Sequence, residues 1–236
     1  MTSNQTIRWI LKPGVFLASL GPAAWLVWAL GGMFGYWEPP GSLSPNPLSD
    51  ITNETGVWTL RFLCITLALT PLRRIIGWNG AIRFRRMTGL FAFFYGSLHF
   101  LIYSIADRLL GLVDFPDGVV SRDTATRLAA AIWVDVYKRP FITVGFTALV
   151  LMLPLAATST AGMIRRLGGR RWQALHRLVY VSGTLGVLHY WWLVKADITR
   201  PRNYAVIVSL LLLFRFVWSR VHARKPVPAR AQATAR

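Results

Sequence analysis

Apolar residues in this chain run on far longer than they alternate. Six such stretches, at residues 15–34, 56–72, 87–105, 141–157, 175–194 and 204–221, are separated by segments that hold nearly all of the charge. A helix needs about 20 apolar residues to cross roughly 30 Å of hydrocarbon, and most of the six approach that length. The second and fourth are shorter, and each ends in Thr/Pro or Ala/Thr/Ser sequence able to extend it. None shows the period-2 alternation of a barrel strand, so helices are predicted. Trp clusters near several ends, where interfacial anchors sit. Arg8 and Lys12 precede the first stretch as they would a signal peptide, but it is long for a signal h-region. No convincing small-x-small cleavage site follows it, so a retained helix is expected. The pattern predicts an all-α integral membrane protein, a six-helix transmembrane bundle forming a single membrane domain over 1–236.

Composition sharpens this. The chain is 54% apolar and carries a formal charge of +18, yet only 15% of its residues are charged. A nucleic-acid-binding domain of that charge would spread Lys and Arg over a polar surface, so nucleic acid is excluded as a partner. An aromatic content of 13% excludes a disordered basic chain. A lone cysteine, Cys64, excludes an intramolecular disulfide framework and any Cys-ligated zinc or iron–sulfur site.

The charges also sort by side. One set of connections and termini carries 17 basic residues and no acid, from Arg8 and Lys12 through the Arg73–Arg86 and Arg165–Arg177 runs to the C-terminal tail. The opposite set carries 8 basic residues and all 9 acids. The positive-inside rule counts Lys and Arg, and it puts both termini in the cytoplasm with the bilayer as constant partner. Residues 36–55 are Pro/Gly/Ser-rich and predict an outer loop. Residues 112–139 form a longer outer connection, with a short interfacial helix expected at 124–136. The basic cytoplasmic tail 223–236 is expected to be disordered and close to anionic headgroups. Gly31 and Gly35 make one GxxxG, a weak helix-packing signal.

Ionisable groups at membrane depth are costly and therefore functional candidates. His99 lies within the third stretch and His189 within the fifth, at similar depth toward the outer side. Neutral imidazole ligates iron well, and two at one level on neighbouring helices can hold a haem between them. A single intramembrane histidine more often makes an interhelical hydrogen bond, and from pattern alone the two readings stand near parity. His176, thirteen residues before His189, lies at the inner start of the fifth stretch. On a continuous helix that is about 20 Å of rise, but with a residual turn of about 220°, so the two would not share a face. One haem on His99 and His189 is therefore favoured over two in register. His222 reaches the same inner level as His176, and its pairing there is weakly supported. Arg61, in the outer part of the second stretch, either pairs a haem propionate or snorkels outward. The acid-free inner half argues against a proton-coupled transporter.

The residues then become familiar. LALTPLRR over 67–74, RRMTGLFAFFYGSLHFLIY over 85–103, KRPFITVGF over 138–146, LPLAATS over 153–159 and LGGRRWQALHRLVYVSGTLGVLHYWWLVK over 167–195 resemble the MsrQ (YedZ) family. Those haem-binding subunits belong to the ferric-reductase-like transmembrane group, whose core corresponds here to residues 56–195. The resemblance implies a bacterial inner-membrane protein that takes electrons from the respiratory quinone pool. It passes them to MsrP, a periplasmic molybdopterin-dependent methionine sulfoxide reductase, where the catalysis resides. It also implies haem b, one or two, and FMN, for which no motif is visible here. His99, His176 and His189 match the family's motif histidines, and His222 matches none. The competing readings are a ferric or superoxide-type reductase core serving another acceptor, and a small transporter without haem. Electron-transfer reductases of that wider group usually carry a soluble flavin and nicotinamide domain, and no GxGxxG follows a strand here.

Overall fold

The computed structural model describes residues 3–33, 35–37, 44–104 and 122–222. All regular structure among them is helical. A short helical lead at Ser3–Thr6 and a π-turn at Ile7–Leu11 run into α1 (Lys12–Met33). α2 (Pro47–Ile76) is followed by a 3-10 turn at Asn79–Phe84 and by α3 (Arg85–Ile102). Then come α4 (Arg122–Lys138), α5 (Pro140–Ala157), the short α6 (Ala161–Leu167) and α7 (Gly169–Leu175), α8 (Leu178–Leu193) and α9 (Thr199–His222).

The pairs α2–α3 and α5–α8 form the centre, with α9 against α8 and α2, α1 on the flank, and α4 against α5. Phe62, Leu63 and Leu67 of α2 meet Phe91, Ala92 and Tyr95 of α3, Met152 of α5, and Val179 and Val187 of α8 in one core. Apolar burial drives little association against lipid tails, so packing and polar contacts between helices carry more weight. Ser182 of α8 is fully buried and donates to the Ala148 carbonyl of α5 at 2.9 Å. Thr66 of α2 donates to Thr88 of α3 at 2.9 Å. Arg215 binds α9 to both pairs, donating from Nη1 to the Tyr180 hydroxyl at 2.7 Å and from Nη2 to the Leu67 carbonyl at 2.8 Å.

Tyr95 does something less usual. Its hydroxyl donates to the Ser19 carbonyl at 2.7 Å and accepts from the Ala23 N–H at 3.1 Å. Those two groups are an i, i+4 pair beside Pro22, which lacks an N–H. The phenol is thus inserted into the ladder of α1 and bridges it to α3.

Three expectations are corrected. The loop predicted over 36–55 is helical from Pro47 onward. Asn46 accepts from the Ser49 N–H at 3.2 Å, Pro47 opens the first turn and Asp50 sits in it. These are helix-start signals that a hydropathy pattern hides because the turns are polar. The fifth stretch is not one helix: tight turns around His176 and Arg177 divide α7 from α8. The rise and rotation computed for a continuous helix between His176 and His189 therefore do not apply. The GxxxG is not a helix–helix seam, because Gly31 lies against the Trp37 indole and Gly35 has left the helix with φ +77°. Trp37 folds back to donate to the Trp28 carbonyl at 2.7 Å.

The expected helix at 124–136 is present and longer, as α4. Four helices among the described residues are long and apolar enough to cross a membrane: Asn4–Gly32, Pro47–Ile76, Pro140–Ala157 and Thr199–Val221. The two that carry His99 and His189 are not among them. α8 is cut to 16 residues by the turn at His176, and α3 opens on Arg85 and Arg86. The tail 223–236 and the stretch 105–121 lie outside the described residues.

Candidate functional site

A cavity of about 380 Å³ opens between α2, α3, α5 and α8. Its walls are mainly apolar, including Leu60, Leu63, Phe100, Phe146, Leu149 and Met152. Each of the four helices also contributes one glycine: Gly56, Gly96, Gly145 and Gly186. His99 from α3 and His189 from α8 face each other in it, with ring centres 6.1 Å apart and planes at 75°. The two helices are held at that separation by α2 and α5, and the same contacts orient the rings.

His99 Nδ1 lies 2.8 Å from the Thr52 carbonyl oxygen of α2, and His189 Nδ1 lies 2.6 Å from the Phe141 carbonyl oxygen of α5. A carbonyl only accepts, so both Nδ1 atoms carry the proton and donate. Both Nε2 atoms are then left with a lone pair. Metal-ligating histidines ordinarily have this arrangement, one nitrogen bonded to a backbone carbonyl and the other presented to the ion. The rings also need space. A Cβ on Gly56 would come within 3.1 Å of the His99 ring, and one on Gly145 within 2.6 Å of the His189 ring.

The spacing fits iron held between two imidazoles. At about 2 Å per metal–nitrogen bond and about 1 Å from each nitrogen to its ring centre, two imidazoles holding one iron would have ring centres roughly 6 Å apart. An apolar, glycine-lined chamber with two such imidazoles suits a flat macrocycle that must approach helix backbones closely. Hydrogen bonding and metal ligation, posed as alternatives by the sequence, would use different nitrogens of the same rings.

His176 is not part of this cavity. Its ring stacks on Trp172 with centres 3.9 Å apart, and its Nε2 lies 3.2 Å from the Thr158 hydroxyl. Trp172 in turn donates to the Thr158 carbonyl at 2.9 Å, so the three residues form one cluster at the other end of the bundle. The side chain of His222 lies outside the described set. Arg61 does not line the cavity either: it faces Glu54 at 3.8 Å and sits over the Trp58 ring at 4.3 Å. The cation that does line the cavity is Arg139, at its polar end with Asn46, Ser49 and Asn53.

Sequence reasoning missed Gly56, Gly145 and Arg139. Gly96 and Gly186 carried a usable signal, since each stands three residues before its histidine in GSLH and GVLH. That spacing puts glycine and histidine on one helix face a turn apart.

Residues 55–187 match the family model described as ferric reductase like transmembrane component. The chain is 55% identical to the protein-methionine-sulfoxide reductase heme-binding subunit MsrQ of Ralstonia nicotianae, over 73% of each chain. It is 46% identical to the protein of the same name from Herminiimonas arsenicoxydans, over 89% of this chain and 86% of that one. The corresponding protein of Xanthomonas euvesicatoria pv. vesicatoria is 44% identical, over 98% of this chain and 96% of its own.

Proposed function

The chain belongs to the ferric-reductase-like transmembrane family and, within it, to the MsrQ haem-binding subunits; from that premise we propose that it is the haem b subunit carrying electrons from the respiratory quinone pool to periplasmic MsrP. MsrP then reduces methionine sulfoxide in oxidised envelope proteins. The observation that carries the haem reading is the pair His99 and His189, 6.1 Å apart with each Nδ1 bonded to a carbonyl. Haem supplies reversible one-electron chemistry when bound. Everything else is done by the chain. Thr52 and Phe141 fix the tautomer and plane of each imidazole, and Gly56 and Gly145 leave room at the rings. The apolar walls exclude water, which favours the less charged state of a bound redox group.

In this reading the protein spans the bacterial inner membrane six times, N-in and C-in, with 17 basic residues on the cytoplasmic side against 8 outside. α3 and α8 then cross as well, each packed on one side against its partner helix, with Leu90, Phe94 and Leu101 of α3 and Val181 of α8 facing outward. His176, in its Trp172–Thr158 cluster, belongs to the inner end and serves a second haem or electron entry. FMN enters through the family alone.

The test is spectroscopic first. Purified protein should show reducible low-spin b-type bands, and His99→Ala and His189→Ala should each abolish them. Unchanged haem content in both variants would overturn the ligand assignment. Quinol-driven reduction of purified MsrP tests the rest. Haem that reduces with quinol but does not pass electrons to MsrP would leave the ligands standing and point to another acceptor.

A further inference from the structure

The cavity's lining is apolar along most of its depth and polar at one end. Asn46, Ser49 and Asn53 come from the first turns of α2, Tyr103 from just past α3, and Arg139 from the residue that caps α5. All are at the same end of the bundle, the end at which the described acids Asp50, Asp135 and Asp197 also fall. Arg139 is the charged residue of the lining. Its backbone N–H donates to the Asp135 carbonyl at 3.0 Å, and its Nε stands 3.2 Å from Asp135 Oδ1. The Tyr103 hydroxyl donates to Asp135 Oδ2 at 2.5 Å. Asp135 itself is 7% exposed.

The pair is lopsided: the Asp135 side chain is nearly buried, whereas the Arg139 side chain is about half exposed where it reaches the mouth of the cavity. A nearly buried carboxylate is held on one oxygen by a phenol, and its other oxygen stands at ion-pair distance from Nε of the guanidinium. Arginine has five N–H donors in a planar fork, and Nε supplies one. Engaging Nε fixes the plane of the fork and leaves the terminal amino groups for bidentate pairing with another carboxylate.

We propose that Arg139, oriented by Asp135 and Tyr103, is the receptor for a carboxylate of the cavity's occupant, a haem propionate, with Asn46, Ser49 and Asn53 as neutral donors beside it. The inference rests on the haem reading above and adds to it the direction in which the macrocycle lies: carboxylate edge toward the acid-bearing, outer end. Arg139 is a binding residue, and Asp135 is a positioning residue acting through it.

The experiment compares Arg139→Gln, Arg139→Lys and Asp135→Asn with the unaltered full-length protein in detergent. Two quantities are read: the rate of haem transfer to apomyoglobin, and the haem midpoint potential. Losing a charge-assisted hydrogen bond should speed haem transfer from Arg139→Gln on the order of tenfold or more. Its potential should fall, because a cation near the haem favours the reduced state. Arg139→Lys should keep the potential near that of the unaltered protein, with haem loss in between, since the charge stays and the fork goes. Asp135→Asn should raise the potential by removing a negative charge. Potentials and transfer rates that match the unaltered protein in all three variants would overturn the proposal. So would faster haem loss with no shift of potential in Arg139→Gln and Asp135→Asn. In either case the low-spin spectrum would survive, which separates this failure from failure of the haem reading.

Discussion

Replacing Gly145 by alanine asks whether the room at His189 is a requirement of the site. The added Cβ would stand 2.6 Å from Nδ1 and 2.9 Å from Cε1 and Cγ. Ordinary carbon contacts are about 3.5–4.0 Å, so the overlap is on the order of 1 Å. The ring cannot yield freely, because its Nδ1–H is bonded to the Phe141 carbonyl at 2.6 Å. Turning it about 30° off its rotamer costs roughly 0.5–1.5 kcal/mol, and losing the hydrogen bond costs about as much again. The sum, about 1–3 kcal/mol, corresponds to haem held roughly five- to 150-fold more weakly. At Gly56 the corresponding contact with His99 is 3.1 Å, a few tenths of an ångström too close, so Gly56→Ala should do the same to a smaller extent. Gly169 meets nothing within 4 Å, and Gly169→Ala serves as the control. The assay is haem per chain by pyridine haemochromogen, with the low-spin spectrum and transfer to apomyoglobin. A Gly145→Ala protein with full haem, an unaltered spectrum and the control's transfer rate would refute the reasoning.

Other outcomes follow from the same contacts. Tyr95→Phe strands the Ser19 carbonyl and the Ala23 N–H unless the α1 ladder closes, and should cost about 1–3 kcal/mol in detergent unfolding with haem content unchanged; an unaltered melting temperature would show that the ladder closes unaided. Arg61→Gln removes a half-buried pair with Glu54 and the cation over Trp58 and should cost about 1–2 kcal/mol of stability, with haem transfer as in the unaltered protein. Faster haem loss there would return Arg61 to the cavity. His176→Ala removes the ring stacked on Trp172 and should leave the low-spin bands of the His99–His189 site intact. Disappearance of all low-spin haem would show that the two regions are not separate.

How much of this was legible in the sequence depended on which property carried the information. Hydropathy predicted the cores of the long helices, because their residues face lipid or one another and stay apolar throughout. It failed at the polar first turns of α2, where capping chemistry, and not apolarity, makes the helix. It failed again at His176, since nothing in a run of leucines, valines and arginines marks where a stacked indole and a threonine hydroxyl will break a helix. The histidines were legible because an imidazole at membrane depth is rare and costly. The contacts that orient them were not, because Thr52 and Phe141 act through backbone carbonyls, and any residue supplies one. Arg139 and Arg61 show the same limit for charge: depth along the chain left Arg61 open between a propionate partner and outward snorkelling, whereas packing brings Arg139 to the cavity.

Each histidine divides its work between two nitrogens, and that division constrains the whole bundle. Nδ1 belongs to the fold: through it α3 is tied to α2 and α8 to α5, the same two pairs that pack most extensively. Nε2 is kept bare by the same bonds. A bundle held together by iron ligation alone would have its helices free to separate without the metal. Here the pairs are set by carbonyls, by Ser182 on Ala148 and by Thr66 on Thr88, none of which needs a cofactor. The two pairs share one core and are joined by Arg215, and across the cavity His99 and His189 face each other with ring centres 6.1 Å apart. Preorganisation of that kind lowers the cost of binding, because the rings are already turned and already in the right tautomer before any iron arrives.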